Sequence, residues 1–321
     1  MTGRAAARAV VGPSAWSAVD VDDPRSTTIP LVAELADPRA FSAVAPRARA
    51  VVRARAGLRA AIEQALLGGR GFAVVTGVPV PGLGEQAAQE WCGGFCRLVG
   101  QPLPQSAAGD HVYAVRDDRA GGGTAVFTSK TNRAIPWHTD GGDLVRSPRF
   151  VALVAVRGAV RGGATQLVSA LTLYNRLAAE SPAQLRRLMR SFCYLHSPSR
   201  AGGLRQQMVM RLPVFERRAG VVVFRYNRQR IEAGHALADE TLTRPDRAAL
   251  DRLEELLDHP ALRTERTLAA GDLLILHNER IAHARTEFTD PVRAGGGRLL
   301  YRLWIGRRRA TGRSGSPSRA R

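Results

Sequence analysis

The sequence predicts an α+β fold built on an antiparallel β-core. Helical periodicity is concentrated before residue 100, whereas five short apolar runs bounded by Gly, Pro or polar turns dominate after residue 148. No internal repeat is found. With 321 residues at 45% hydrophobic composition, the chain can bury the core of one large domain or two small ones.

Residues 1–44 are rich in Ala, Pro and Arg with weak periodicity, and read as a partly ordered leader. Arg8 and Pro13 interrupt any apolar stretch there, so no signal peptide is read. Apolar residues at 58, 61, 62, 65, 66 and 67 predict a helix stopped by Gly68 and Gly69. GFAVVTGVPV (71–80) reads as a buried strand leaving through Gly and Pro, and a second helix is expected over about 86–98. The Gly-, Ser-, Asp- and Thr-rich stretch 104–134, with GGGT at 121–124, reads as a long loop, which inside a compact domain is usually functional or mobile. RFVALVAV (149–156) and ATQLVSA (164–170) are expected to be strands around a turn at Gly162 and Gly163. Ser181 is placed to cap a helix with Pro182 at its first position. GVVVFRYN (220–227) is a further strand, 245–257 an amphipathic helix, and LLIL (273–276) and RLLYRLWI (298–305) the last strands. Residues 45–306 thus form the folded domain and 307–321 a basic tail of disordered composition.

The formal charge of +19 invites a nucleic-acid reading, but Lys130 is the only lysine and the arginines are spread over the whole chain. The spread reads as compositional bias. A specific nucleic-acid partner is not expected, and the milder consequence is a surface that favours small anions. No apolar run approaches the ~18 residues of a membrane span. The three cysteines, Cys92, Cys96 and Cys193, make no disulfide framework; Cys92 and Cys96 lie four apart in a helical stretch and read as core. A reducing, cytoplasmic setting is expected.

The chemistry sits in two motifs. In WHTDGG (137–142), His138 and Asp140 are two apart, and on extended backbone both would project to one side. In GDLLILHNERIAHARTEF (271–288), a turn leads into a short buried strand, and His283 follows it. Two histidines and one carboxylate on one face leave three coordination positions open, the pattern of non-haem Fe(II) oxygenases. Two open positions can chelate a 2-oxo acid and the third can take O2. Arg298 opens the final strand fifteen positions after His283. A distal carboxylate calls for the planar bidentate donor that guanidinium supplies. Arg302, four positions on, would point to the same face of the strand.

WHTDGG, GGAT (162–165), GDLLILHN with HARTEF, and RLLYR (298–302), in this order, resemble the taurine dioxygenase family in its broad sense, on the clavaminate synthase-like side, over roughly residues 45–306. The resemblance implies a double-stranded β-helix, or jelly roll, with helices outside. It implies Fe(II) at His138, Asp140 and His283, with 2-oxoglutarate and O2 as co-substrates. It assigns 2-oxoglutarate contacts to Thr165 and Arg298, and a substrate or co-substrate contact to Arg302. Clavaminate-type relatives carry Glu where this chain has Asp140, and related halogenases lack the carboxylate, so oxygenation is favoured over halogenation. His277 departs from the family's usual Asp-Asn and reads as a supporting or core residue. His111, His196, His235 and His259 have no ligand spacing with one another.

The expected reaction is hydroxylation of an aliphatic C–H in a small polar metabolite, an amino acid or a related natural-product intermediate. Alternatives are a small sulfonate or other anion, with fragment release, and a non-catalytic, Arg-rich nucleic-acid-binding protein on the same fold. Candidate substrate contacts are Ser129, Lys130 and Asn132 in the segment before the first motif, together with Arg302 and the run Arg225 to Arg230.

Overall fold

The computed structural model describes residues 10–41, 48–106, 108–118, 128–196, 207–290 and 297–308. Eight antiparallel strands make the core: β1 (Val112–Val115), β2 (Ile135–His138), β3 (Phe150–Arg157), β4 (Thr165–Ser169), β5 (Arg263–Arg266), β6 (Leu273–His277), β7 (Ile281–Arg285) and β8 (Leu299–Gly306). One sheet has the order β1-β8-β3-β6 and the other β2-β7-β4-β5. Two facing four-stranded sheets with this interleaving form a jelly roll. Phe72–Thr76 extends the first sheet beyond β6, Thr28–Pro30 adds to it in parallel, and Gln101–Leu103 pairs with the end of β8.

Alternation along each strand sorts side chains between two environments. In β6, Leu273 and Ile275 face outward onto helices α1 (Arg49–Glu63) and α2 (Glu85–Val99), meeting Leu58, Ile62, Trp91 and Phe95. Leu274 and Leu276 face inward, between the sheets, with Leu167 and Ile281. In β7, Ala282 and Ala284 face an outer layer inserted between β4 and β5. That insertion contains α3 (Ala170–Glu180), α4 (Pro182–Leu188), two β-hairpins, α5 (Arg228–Leu237) and α6 (Arg244–Leu257). The alternate residues of β7, His283 and Arg285, therefore point into the space between the sheets.

Several expectations need correcting. The segment 104–134, read as loop, contains among its described residues core strand β1 and a 3-10 turn, Thr128–Lys130; its GGGT lies outside the described residues. The helix expected at 58–67 begins at Arg49 and ends at Glu63, and a π-turn, Gln64–Gly68, carries the chain to the glycines. Strand β4 passes without a loop into α3, because Ser169 Oγ accepts a hydrogen bond from Thr172 N at 3.1 Å and so caps the helix.

Of residues 1–44, those at 10–41 pack on the domain: Trp16 is buried against Phe72, and its Nε1 donates to Arg70 O at 2.7 Å. Of residues 307–321, all but 307 and 308 lie outside the described residues. Among the described residues no helix is long and apolar enough to cross a membrane.

Gly94 on α2 shows how tightly the N-terminal segment docks. A Cβ there would collide with the backbone carbonyl of Phe41, whereas one on neighbouring Gly93 would meet only the flexible end of Arg97. Gly94→Val is expected to destabilise the fold by about 1–3 kcal/mol through overpacking. Gly93→Ala should be neutral or stabilising, since Ala is the better helix former. Thermal melts of the two variants check this; equal melting temperatures would contradict the packing described.

Candidate metal centre

Register brings the first motif and the distal histidine together. On β7, His283 sits directly opposite His138 on β2 and opposite Leu167 on β4. The two imidazoles are 4.3 Å apart, centroid to centroid. Strand β2 ends at His138, so Asp140 lies in the turn after it rather than on extended backbone. That turn needs Gly141, at φ +58°, where a Cβ would also run into Leu144 and Pro148. Donor atoms of His138, Asp140 and His283 all lie within 4.8 Å of one another.

Supports from three directions hold the carboxylate loop. Asn278 accepts from Asp140 N at 2.9 Å and donates to Asp140 O at 2.8 Å and to Pro148 O at 3.1 Å. Thr139 N donates to Tyr226 O at 2.8 Å, and Tyr226 N donates back to Thr139 Oγ1 at 3.1 Å. Trp137 Nε1 donates to Asp258 Oδ1 at 2.7 Å. The last two supports come from the β4–β5 insertion, so that outer layer braces the site.

The donor chemistry fits a divalent cation. Asp140 is buried; Arg302 Nη1 donates to its Oδ1 at 2.9 Å, while Oδ2 is left without a hydrogen-bond partner, 3.8 Å from His283 Nε2. A cation between them would satisfy that oxygen. His138 Nδ1 donates to Pro136 O at 2.8 Å, which leaves the Nε2 lone pair for a metal. Burial pushes the His283 pKa down to about 3, with the neighbouring His138 adding to it, and burial lowers His138 against the pull of Asp140. Both imidazoles are thus held neutral, the form that ligates. Burial acts to raise the Asp140 pKa, but the surroundings, the Arg302 guanidinium foremost, outweigh it and hold the carboxyl below its ordinary value.

A cavity between the sheets opens from this set, lined by Thr165, Arg285, Arg298, Arg302, Ser129 and apolar Val115, Ile135, Leu153 and Leu300. Residues 298, 300 and 302 all line it, as alternation along the strand requires. Arg298 is buried; its Nη2 donates to Gly163 O at 3.3 Å, and Nη1 has no partner. Gly163 is at φ +73°, and a Cβ there would press on the Arg298 side chain. Burial, then the nearby Arg285, brings the Arg298 pKa down to about 9, and burial brings Arg285 to about 10.

The other sequence candidates divide between the cavity wall and its surroundings. Arg302 reaches Asp140 rather than the Arg298 end of the cavity, with Nε donating to Gln105 Oε1 at 2.9 Å and its guanidinium over the rings of Tyr113 and Trp304. Ser129 lines the cavity, and its Oγ is 3.3 Å from Tyr113 OH. Lys130 and Asn132 do not line it: Lys130 pairs with Asp118 at 3.3 Å, and Asn132 O accepts from Phe288 N. Arg225, Arg228 and Arg230 are also outside it, bound to Leu144 O, to Glu232 with Asp251 and Glu254, and to Asp143 with Leu195 O. His277 is buried edge-on to Phe150 and takes no part in the donor set.

Two residues passed over in the sequence, Asn278 and Arg285, belong to the site. Asn278 had a signal, the adjacent His277 that breaks the family's usual pair; Arg285 lies within HARTEF, two residues after His283, but that motif implied no role for it.

A second group, Cys193, His235 and Glu240, has metal-like spacing, but both ring nitrogens of His235 are already engaged, with Cys193 N and Glu240 O. Arg211 occupies the Glu240 carboxylate.

Residues 46–304 match the family model described as "Taurine catabolism dioxygenase TauD, TfdA family". FR-33289 synthase of Streptomyces rubellomurinus (strain ATCC 31215) is 27% identical over 92% of this chain and 90% of its own length. A uridine-5'-phosphate dioxygenase of Streptomyces sp is 33% identical over 53% of this chain and 61% of its own. Among solved structures, asparagine oxygenase in complex with Fe(II), 3-hydroxyasparagine and succinate superposes with a TM-score of 0.64 at 20% identity, covering 87% of this chain and 93% of that one. The iron oxygenase OrfP in complex with Fe and alpha-ketoglutaric acid gives 0.59 at 16% identity, covering 87% and 94%. These two share the jelly-roll fold. The chain belongs to the TauD/TfdA family and is a non-haem iron dioxygenase that consumes 2-oxoglutarate and O2.

Proposed function

We propose that this oxygenase hydroxylates an aliphatic C–H bond of a small polar metabolite, an amino acid or a related natural-product intermediate, in the cytoplasm. One observation carries the small-molecule reading. The donor set lies between the sheets, with Asp140 and His283 each only 5% exposed, so a substrate must enter the cavity to meet it. The relative named for uridine-5'-phosphate and the neighbours bound to hydroxylated asparagine and arginine support substrates of that size.

His138, Asp140 and His283 would hold Fe(II). Bound there, the metal supplies O2 activation coupled to decarboxylation of 2-oxoglutarate. Arg298 and Thr165 would receive the far carboxylate of 2-oxoglutarate and fix its direction. Arg302 keeps Asp140 Oδ1 occupied, which would leave Oδ2 to serve as the ligand. Val115, Ile135, Leu153 and Leu300 exclude water from the reacting C–H. Ser129 lines the cavity on the side of the loop before β2 and would meet the substrate. Asp140 fills the position that chloride would need, which favours oxygenation over halogenation. A second reading, a small sulfonate or other anion, draws on Arg302 at the cavity and on the relative that acts on uridine-5'-phosphate.

His138→Ala or His283→Ala should abolish Fe(II)-dependent 2-oxoglutarate decarboxylation; retained activity in either would sink the ligand assignment. Arg298→Leu should raise the 2-oxoglutarate Kd at least tenfold, about 1.4 kcal/mol, and an unchanged titration would remove that role. Asn278→Ala should weaken metal binding by roughly 10–100-fold, the usual cost of losing a support behind a ligand, measured by Fe(II) or Co(II) titration. The substrate is sought by incubating the enzyme with Fe(II), 2-oxoglutarate and panels of amino acids, sulfonates and nucleoside phosphates. Succinate stimulated by an amino acid, with a product heavier by one oxygen, is the expected result. Stimulation only by nucleic acid or protein would end the small-molecule reading.

A further inference from the structure

Arg285 is the cationic residue of the cavity that the reading above leaves without a task. It is 5% exposed, it lines the cavity, and its position follows from the strand that carries His283. Two residues along β7 return the side chain to the same face, about 6.8 Å further on. Across the sheet, Arg285 is the register partner of Thr165 on β4, as His283 is of Leu167. Arg285 therefore stands one step along the cavity from the metal donors, level with Thr165.

Arg298 approaches the same place from the opposite sheet. Both guanidiniums lie over the ring of Phe288, Arg285 at 4.8 Å and Arg298 at 5.1 Å from its centroid. Thr165 and two buried guanidiniums thus converge at one end of the cavity, and the three donors for a metal occupy the other. A five-carbon diacid chelated through its 2-oxo end spans such a gap.

Hydrogen bonding shows which part of Arg285 is spoken for. Its Nη2 donates to Thr131 O at 2.7 Å and to Arg133 O, which ties the loop before β2 to β7. Its Nε and Nη1 are buried and have no hydrogen-bond partner, as is Arg298 Nη1. Asp117 attracts Arg285 electrostatically without bonding to either of those atoms. Buried guanidinium donors without acceptors are costly and seldom retained without an anion to meet. An arginine serving only to anchor the loop would need Nη2 alone.

We propose that Arg285 is a second guanidinium for the distal carboxylate of 2-oxoglutarate, facing Arg298 across that carboxylate beside Thr165. The carboxylate then accepts from both arginines, and Arg285 is held in place for it by the two loop carbonyls. This rests on the assignment of the metal donors and of Arg298 made above.

The test compares two 2-oxo acids that chelate alike but differ at the far end: 2-oxoglutarate and 2-oxopentanoate, which lacks the distal carboxylate. Binding to the Fe(II)-loaded full-length enzyme is followed anaerobically by the visible charge-transfer band of the chelate, so no turnover is needed. In the unaltered protein 2-oxoglutarate should bind far more tightly. Arg285→Leu should weaken 2-oxoglutarate at least tenfold and leave 2-oxopentanoate essentially unchanged, and Arg285→Lys should recover part of the loss. Should the Leu variant fail to fold, Arg285→Gln, which keeps an amide donor for the loop carbonyls, gives the same comparison. Equal weakening of both acids, or of neither, would overturn the proposal and leave Arg285 as a loop anchor. Arg298→Leu is run in parallel. If it leaves 2-oxoglutarate binding unchanged, the assignment of the site itself fails; if it weakens binding while Arg285→Leu does not, only the present inference fails.

Discussion

The antiparallel register between β2 and β7 is the constraint on which the rest of the site depends. It sets His138 opposite His283, and from that pairing every other position follows. Asp140 comes within reach through the turn after β2, and Arg285 falls on the same face one step along β7. A slip of one residue would turn His283 and Arg285 out toward the insertion and bring alanines into the cavity. The β7–β4 pairing guards against that slip from the other side, because Ala282 and Ala284 are small enough to pack under Val168 and the inserted helices while their neighbours are not. A bulge between His283 and Arg285 on the β2 side lets the ligand strand depart from its partner without disturbing β4.

Charge is the second organising fact. Three arginines and one aspartate line a cavity whose remaining walls are mostly apolar. Burying cations carries a cost of several kcal/mol each when they lack partners. Arg302 bonds its acid, Asp140, directly at 2.9 Å, whereas Asp117 and Asp290 attract Arg285 and Arg298 without satisfying all of their buried donors. The unsatisfied donors of Arg285 and Arg298 are an arrangement complementary to an anion rather than to the apolar walls around them. The surface arginines are another matter. Arg228, Arg211 and Arg252 sit in ion pairs with acidic neighbours, so the high formal charge says little about the site.

Much of this was legible in the sequence. The antiparallel core, the strands at 150–157, 165–169 and 299–306, and the family follow from apolar runs, turn glycines and four ordered motifs. Strand β1 was not, because VYAV is short, mostly half-buried and embedded among Gly, Ser and Asp, so local composition outvoted a pairing that only β8 supplies. The junction of β4 with α3 was hidden for the converse reason: one serine does the work of a loop. Arg285 was indistinguishable by type in a chain where arginine is everywhere. What singles it out is its cross-strand partner Thr165, and register is a property of the folded sheet. The aim of Arg302 at Asp140 was equally unreadable, since alternation gives the face a side chain occupies and not how far along the cavity it reaches.

Strand β2 is an edge strand of four residues, paired in its sheet with β7 and joined to the insertion by a single bridge between His138 and Asn227. Its donors and the one on β7 come from opposite ends of the insertion, so the unfolded chain has no means of presenting them together. A cation that binds only the closed sheet is thermodynamically linked to closure: a hundredfold excess over its Kd adds about 2.7 kcal/mol to the native state. A metal held by His138, Asp140 and His283 would thereby fasten the edge of the barrel as well as supply the chemistry. On that assignment, occupancy of the centre and order of β2 and the loop leading into it would be one equilibrium observed from two sides.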